Sequence, residues 1–436
     1  MSGKYPNVQE LKHLAQEIEL YSQLKTEYGA DGVAEVVADI RRGMSDAVKS
    51  LKSLSNDSAM AKQEPDALEK IRAQRPKGPR RMWQEFDAAK YRDKIEGALL
   101  GRMAANALGA PVEFYSIARM KALAEENGAA FPPTDYWSYV PEPKRVRYLV
   151  SPREDYTRGG MDGVPADDDI AYTLLGLLIV EEYGKDFTTD DLGKAWLKYL
   201  PMAYTAEDIT LKNLKKGIPA TKAGNRNNPY CEWIGADIRS DPWGYMAPGW
   251  PEKAAALAYR DAFISHRRQG IYGEMYFAAC VAAAFDVEDP VEALRVGLTE
   301  IPRQCALAKA VRWALKVAPE IKNYQDARDA VETKFVGMSK VHTINNACLT
   351  IWGITIGGCD YSKVIGETVA MGMDNDCTAA TAGSIVGAVV GKKGIPAKWN
   401  KGFNNKIITY LNGKRRFSIS GVLKRFEKQA RSIHDE

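Results

Sequence analysis

Two stretches far apart in the chain, IEGALLGRMAANALGAPVEF and TAATAGSIVGAVVG, restrict the fold more than anything else in it. Both read as helices, yet both carry small residues at helical spacing: Gly97, Gly101 and Ala105 in the first, Gly383 and Gly387 in the second. A helical glycine costs roughly 1 kcal/mol relative to alanine. Such a stripe is tolerable only where another helix comes close enough to return that cost in packing. In the second stretch Ala382, Ile385, Val386, Val389 and Val390 also form one apolar face, so that helix is expected to be buried. Gly109 and Pro111 stop the first helix and leave Glu113 just beyond its end.

A third apolar helix is expected in DDDIAYTLLGLLIVEEYG, where Tyr172, Leu175, Gly176, Ile179, Val180 and Tyr183 mark a wide face. Ala-rich helical stretches broken by Gly/Pro turns fill most of 251–353, with no period-two alternation and no regular strand–helix order. The main domain is therefore predicted to be all-α. Residues 1–90 read as a helical extension and linker, 91–400 as the main domain, and 401–436 as a basic helical segment packed on it. In the extension Leu11, Leu14, Ile18 and Tyr21 share one face, and the run RAQRPKGPRR reads as a linker or a surface strap, a solvated connection rather than a phosphate contact. The Pro- and aromatic-rich segment 129–163 is either a long ordered loop or a short strand insertion.

Composition narrows the function. Lys+Arg 60 against Asp+Glu 56 leaves a net charge of +4, without the clustered basic face of a nucleic-acid binder. Apolar runs such as Ser384–Val390 fall short of the roughly 20 residues that span a bilayer. The opening MSGKYPNVQE lacks the apolar core of a secretion signal. The 6 cysteines are scattered, which suits reduced thiols and a cytoplasmic location, and with only 4 histidines a His/Cys zinc site is not expected. Any metal should be held by oxygens.

Two acidic clusters stand beside these helices: Asp167, Asp168 and Asp169 before the third, and Asp374 and Asp376 around Asn375 before the second. Carboxylates at the mouth of a buried helix repel one another unless compensated. A hard divalent cation such as Mg2+ is one compensation. Helix capping is the other, and it explains one Asp per helix better than three in a row. Taken alone, the clusters leave both readings open.

Taken together and in order, GALLGRMAANALGAPVEF, ADDDIAYTLL and GMDNDCTAATAGSIVGAVVG, with IPAKW after them, resemble the motifs of the ADP-ribosylglycohydrolase superfamily. The loop GADIRSDPWGYMAPG and the helix AYRDAFISH between them are similar to that family as well, so the likeness runs over roughly 91–399. The resemblance implies an orthogonal multi-helix fold with an N-terminal helical extension, and a centre of two Mg2+ ions, with Mn2+ as an alternative. It implies hydrolysis of a glycosidic bond at the ribose of ADP-ribose or an ADP-ribosylated substrate. Carried over by position, Asp167, Asp168, Asp169, Asp374, Asp376 and Cys377 fall at metal-binding places, and Glu113 and Asp168 at catalytic ones. His266 matches a family His near the phosphates, or is a helix-terminal His helped by the dipole. Arg239 could pair with a pyrophosphate or sit in a structural ion pair. Trp243, Tyr245 and Tyr272 could stack on an adenine or belong to the core. Glu274, close after Tyr272, is a further substrate-contact candidate.

The chain departs from the family pattern at four points. Asp167 stands where a Thr often precedes the Asp pair, Ile170 stands where a Thr commonly follows it, Asn106 replaces an Asp, and Cys377 replaces a metal-binding Thr. A thiol is a poor Mg2+ ligand, so one coordination position is expected to pass to water or a neighbour. Two alternatives accompany the leading reading: an N-ribosidase for a small metabolite, its mouth reshaped by the insertion, and a non-catalytic ADP-ribose binder.

Overall fold

A computed structural model describes residues 5, 6 and 8–435; the remaining positions of the 1–90 and 401–436 segments lie outside the described residues. The chain divides into two compact units, one of residues 1–62 with 336–338 and one of 63–335 with 339–436. In the smaller unit, helices α1 (Gln9–Glu27) and α2 (Val33–Ser53) contact each other. Leu14, Ile18 and Tyr21 face Val36 and Ile40 across a shared groove.

The larger unit is all-α. Strands among the described residues are limited to two minimal hairpins, β1 (Val146–Arg147) with β2 (Ser151–Pro152), and β3 (Lys406–Ile408) with β4 (Arg416–Ser418). At its centre α3 (Ala88–Gly109) lies against a late helix, Asn375–Val390. Both glycine stripes face this single contact. A Cβ at Gly383 would come 2.6 Å from the Gly101 carbonyl oxygen, and one at Gly97 would strike the Gly387 carbonyl. The pairs 97 with 387 and 101 with 383 run in opposite senses, so the helices are antiparallel. That register carries the end of α3 to the start of its partner. A Cβ at Gly109 would sit 2.6 Å from Cα of Asp376.

Helix α4 (Asp168–Tyr183) brings the third apolar stretch to the same centre, with residues 169–180 all buried. Of the linker and the surface strap that the basic run before α3 allows, the structure shows the strap, with its arginines paired rather than solvated. Arg75 pairs with Glu300 at 2.6 Å, Arg80 donates to the Thr299 carbonyl and to Glu300, and Arg81 lies 4.0 Å over the Trp250 ring. This strap is thus bound to the body of the larger unit. The C-terminal helix (Ile419–His434) is amphipathic and buries Val422, Phe426, Ala430 and Ile433. No helix among the described residues is long and apolar enough to cross a membrane.

Candidate active site

Three segments converge where α3 ends. After Gly109 a single 3-10 turn, Ala110–Val112, delivers Glu113, and the next amide, that of Phe114, donates to the Met373 carbonyl at 3.1 Å. Glu113 is thereby tied to the turn that presents Asp374 and Asp376. The third segment is held by side chains of α3 itself. Asn106 donates to Asp167 at 2.9 Å and to Asp169 at 3.3 Å. One turn earlier the buried Arg102 pairs with Asp169 at 3.1 Å and with Asp241 at 2.6 Å. Asn106 therefore acts as a donor between two carboxylates, a role an Asp in its place would fill only if protonated.

Three sets of ligand atoms gather here, each with its atoms within 4.8 Å of one another: Glu113, Asp374 and Asp376; Asp167, Asp168 and Asp169; and Asp169, Asp376 and Cys377. Asp167 caps α4 by accepting from the Asp169 amide, so capping is real but accounts for one residue of the group. One oxygen each of Asp374 and Asp376 is buried without a hydrogen-bond partner. Unsatisfied buried carboxylate oxygens are costly, which marks a place built to receive a cation or donor.

Burial raises the pKa of Asp168, Asp169, Asp374 and Asp376, and neighbouring carboxylates add to the shift in each. Glu113 is pushed up to about 7 by burial, with Asp374 and Asp167 adding to it and Arg147 opposing. Burial likewise holds the Cys377 thiol well above its usual range. It stays protonated beside Asp169 and Asp374, which suits a weak donor better than an anionic ligand.

Part of this cluster opens onto a cavity of about 550 Å³. Glu113, Asp168, Asp374 and Cys377 reach its surface, and its walls carry Arg119, Arg145, Arg147 and Arg153 together with Tyr148, Tyr204 and Trp233. Much of one wall comes from the segment 129–163, which is an ordered loop built around the β1–β2 hairpin. Sequence reasoning did not single out these wall residues; the only signal was the basic run KRVRYLVSPR inside that insertion.

The six candidate substrate contacts lie in the interior, where most of them take the structural places that were their alternative reading. None of them lines the cavity. Arg239 is enclosed in the interior, bonded to Glu207 at 2.5 Å, Asp261 at 2.9 Å and Glu274 at 3.3 Å. Trp243 donates to Glu274 at 2.9 Å, Tyr245 shares a 2.7 Å bond with Ser384, and Tyr272 donates to the Pro65 carbonyl at 2.7 Å. His266 is fully buried, its Nδ1 2.8 Å from the Ser265 hydroxyl. These groups hold helices together behind the cavity, because buried charge and buried hydroxyls must find partners inside the protein.

An all-α unit with a carboxylate-lined cavity between antiparallel glycine-striped helices and a third apolar helix defines a recognisable class. The chain matches the family model described as ADP-ribosylglycohydrolase over residues 87–427. No curated protein matches it. A solved structure named ADP-ribosylglycohydrolase-related protein complex is similar at a TM-score of 0.53 and 19% identity, covering 80% of this chain and 99% of that one, a likeness of fold. The chain belongs to the ADP-ribosylglycohydrolase family, and it is an enzyme of the glycosidic-bond hydrolase class.

Proposed function

We propose that this enzyme hydrolyses the glycosidic bond that links ADP-ribose, or a related ribosyl group, to its conjugate, with Mg2+ as the working ion. The observation that supports this best is the pair of partnerless oxygens on Asp374 and Asp376, the first of these residues opening onto an arginine-walled cavity. All-oxygen donors suit a hard divalent cation. Asp374 and Asp376, with Asp168 and Glu113 nearby, would hold it. A bound ion would supply charge to orient ribose hydroxyls and polarise a water.

The chain's own groups do the rest. Cleavage develops positive charge on the sugar, which an acidic lining favours. Glu113 is placed to take the proton of an attacking water, and a carboxyl near neutrality is matched to that task. Asp168, fixed by the Tyr148 hydroxyl at 2.7 Å, presents a rigid oxygen beside it. The wall arginines fit a pyrophosphate, whose oxygens accept from a guanidinium fork.

The insertion supports a second reading. Glu142, Arg145, Arg147, Tyr148 and Arg153 all come from it and shape the mouth, which favours a small riboside over a modified protein. A panel of ADP-ribosyl-arginine and ADP-ribosyl-serine peptides and small ribosides, run with Mg2+ and with chelator, separates the two. Mg2+-dependent release of ADP-ribose from peptides supports the first reading, whereas turnover of ribosides alone supports the second. Unchanged turnover in an Asp374→Asn, Asp376→Asn double variant would sink the metal assignment.

A further inference from the structure

Arg147 reaches the acidic centre from the hairpin. Its Nη2 lies 2.9 Å from Glu113, 3.3 Å from Asp167 and 3.6 Å from Asp376, one carboxylate from each converging segment. This is a built position. The side chain is mostly buried, and the Tyr148 and Tyr156 rings flank the guanidinium with centroids 5.4 and 5.6 Å away. The hairpin holds its register through Arg147 opposite Ser151. It is anchored by Arg153 donating to the Pro111 carbonyl and by Tyr148 donating to Asp168. Tyr148 and Leu149 take positive φ of 47° and 64° in the turn, a conformation side chains rarely adopt.

The carboxylates divide accordingly. Asp169 is matched by Arg102 and Asn106. Glu113, Asp167 and one oxygen of Asp376 are matched by Arg147. The other oxygen of Asp376 and one of Asp374 remain without a partner. A second divalent ion between Glu113 and Asp167, the two carboxylates closest to Arg147, would meet a fixed positive charge at close range, in a site too buried for water to screen it.

We infer that Arg147 takes the place of one cation, so that the working centre is one divalent ion at Asp374 and Asp376 plus a tethered guanidinium. This rests on the metal reading of the proposed function and narrows it, because the family resemblance implies two ions. The hairpin then serves the chemistry directly: its arginine neutralises Glu113 and Asp167 and leaves Asp374, at the cavity surface, for the ion.

The probe is Mn2+, added to the metal-stripped full-length protein and followed by titration calorimetry and electron paramagnetic resonance. The wild type should bind one ion per chain with the spectrum of an isolated Mn2+. Arg147→Ala should bind two and show a spin-coupled pair, whereas Arg147→Lys, which keeps the charge, should bind one. Two ions in the wild type, or a single ion in Arg147→Ala, overturns the inference. Should Arg147→Ala fail to fold, Arg147→Gln carries the same reading, and the wild-type count alone remains decisive. No ion bound to the wild type would instead refute the metal reading beneath it.

Discussion

At the residue scale, burial sets protonation around the cavity and acts in opposite directions on acids and on His266. The carboxylates are raised, so ionising them works against the fold and their contribution improves as pH falls. His266 is held well below its usual range by burial, with Arg239 and Arg267 adding to the effect. An unfolded chain would protonate this imidazole below about pH 6.5, while the folded one would not. Its contribution is therefore complete above that pH and is lost as pH falls further, by up to about 1.4 kcal/mol per pH unit. Because acids and histidine overlap, the useful measurement is the difference between wild type and His266→Gln in urea unfolding from pH 7.5 to 5. The variant should lose less stability on acidification; identical pH slopes would show that His266 is not held neutral. Nothing in AYRDAFISH distinguishes such a group from a phosphate contact, since enclosure depends on helices distant in sequence.

At the scale of elements, the glycine stripes were legible because a helix tolerates repeated glycine only at a close contact. Which helix each stripe would meet was not legible, for a stripe specifies closeness and no partner. The pairing of Gly101 with Gly383 answers it and sets the spacing of Glu113 from Asp376. Gly101→Ala would drive its Cβ into the Gly383 backbone and against the Tyr361 ring. The backbone cannot yield as a flexible side chain would. A loss of about 1–3 kcal/mol is expected in urea unfolding, with activity falling further than the folded fraction because the carboxylates separate. Gly43→Ala on the exposed α2 meets nothing within 4 Å and serves as the control, expected to be neutral or stabilising. Equal effects of the two changes would refute the close-packing account. The β1–β2 hairpin shows the opposite limit. A two-residue ladder has no readable period, and a turn built on positive φ at Tyr148 and Leu149 lacks the Gly or Asn that would announce it. Arg147 was therefore invisible as a site residue, whereas the three acidic motifs in order were not.

At the scale of the molecule, the larger unit places like charges at its centre and holds them there with two arginines, Arg102 and Arg147. On the metal reading proposed above, that arrangement trades stability for a cation site, as functional clusters commonly do. Replacing Asp374 and Asp376 together by Asn removes two of the repelling groups and keeps the side-chain volumes. It does not strand the guanidinium, since Arg147 still meets Glu113 and Asp167. In chelator the double variant should unfold at a higher temperature than the wild type. Added Mg2+ should reverse the order: an ion at 100 times its Kd stabilises the wild type by about 2.7 kcal/mol, while the variant gains nothing. Thermal unfolding of both proteins with chelator and across a Mg2+ series reads this directly. An equal rise in both would mean that the ion binds elsewhere, and a double variant weaker than the wild type in chelator would mean that Asp374 and Asp376 support the fold through contacts of their own.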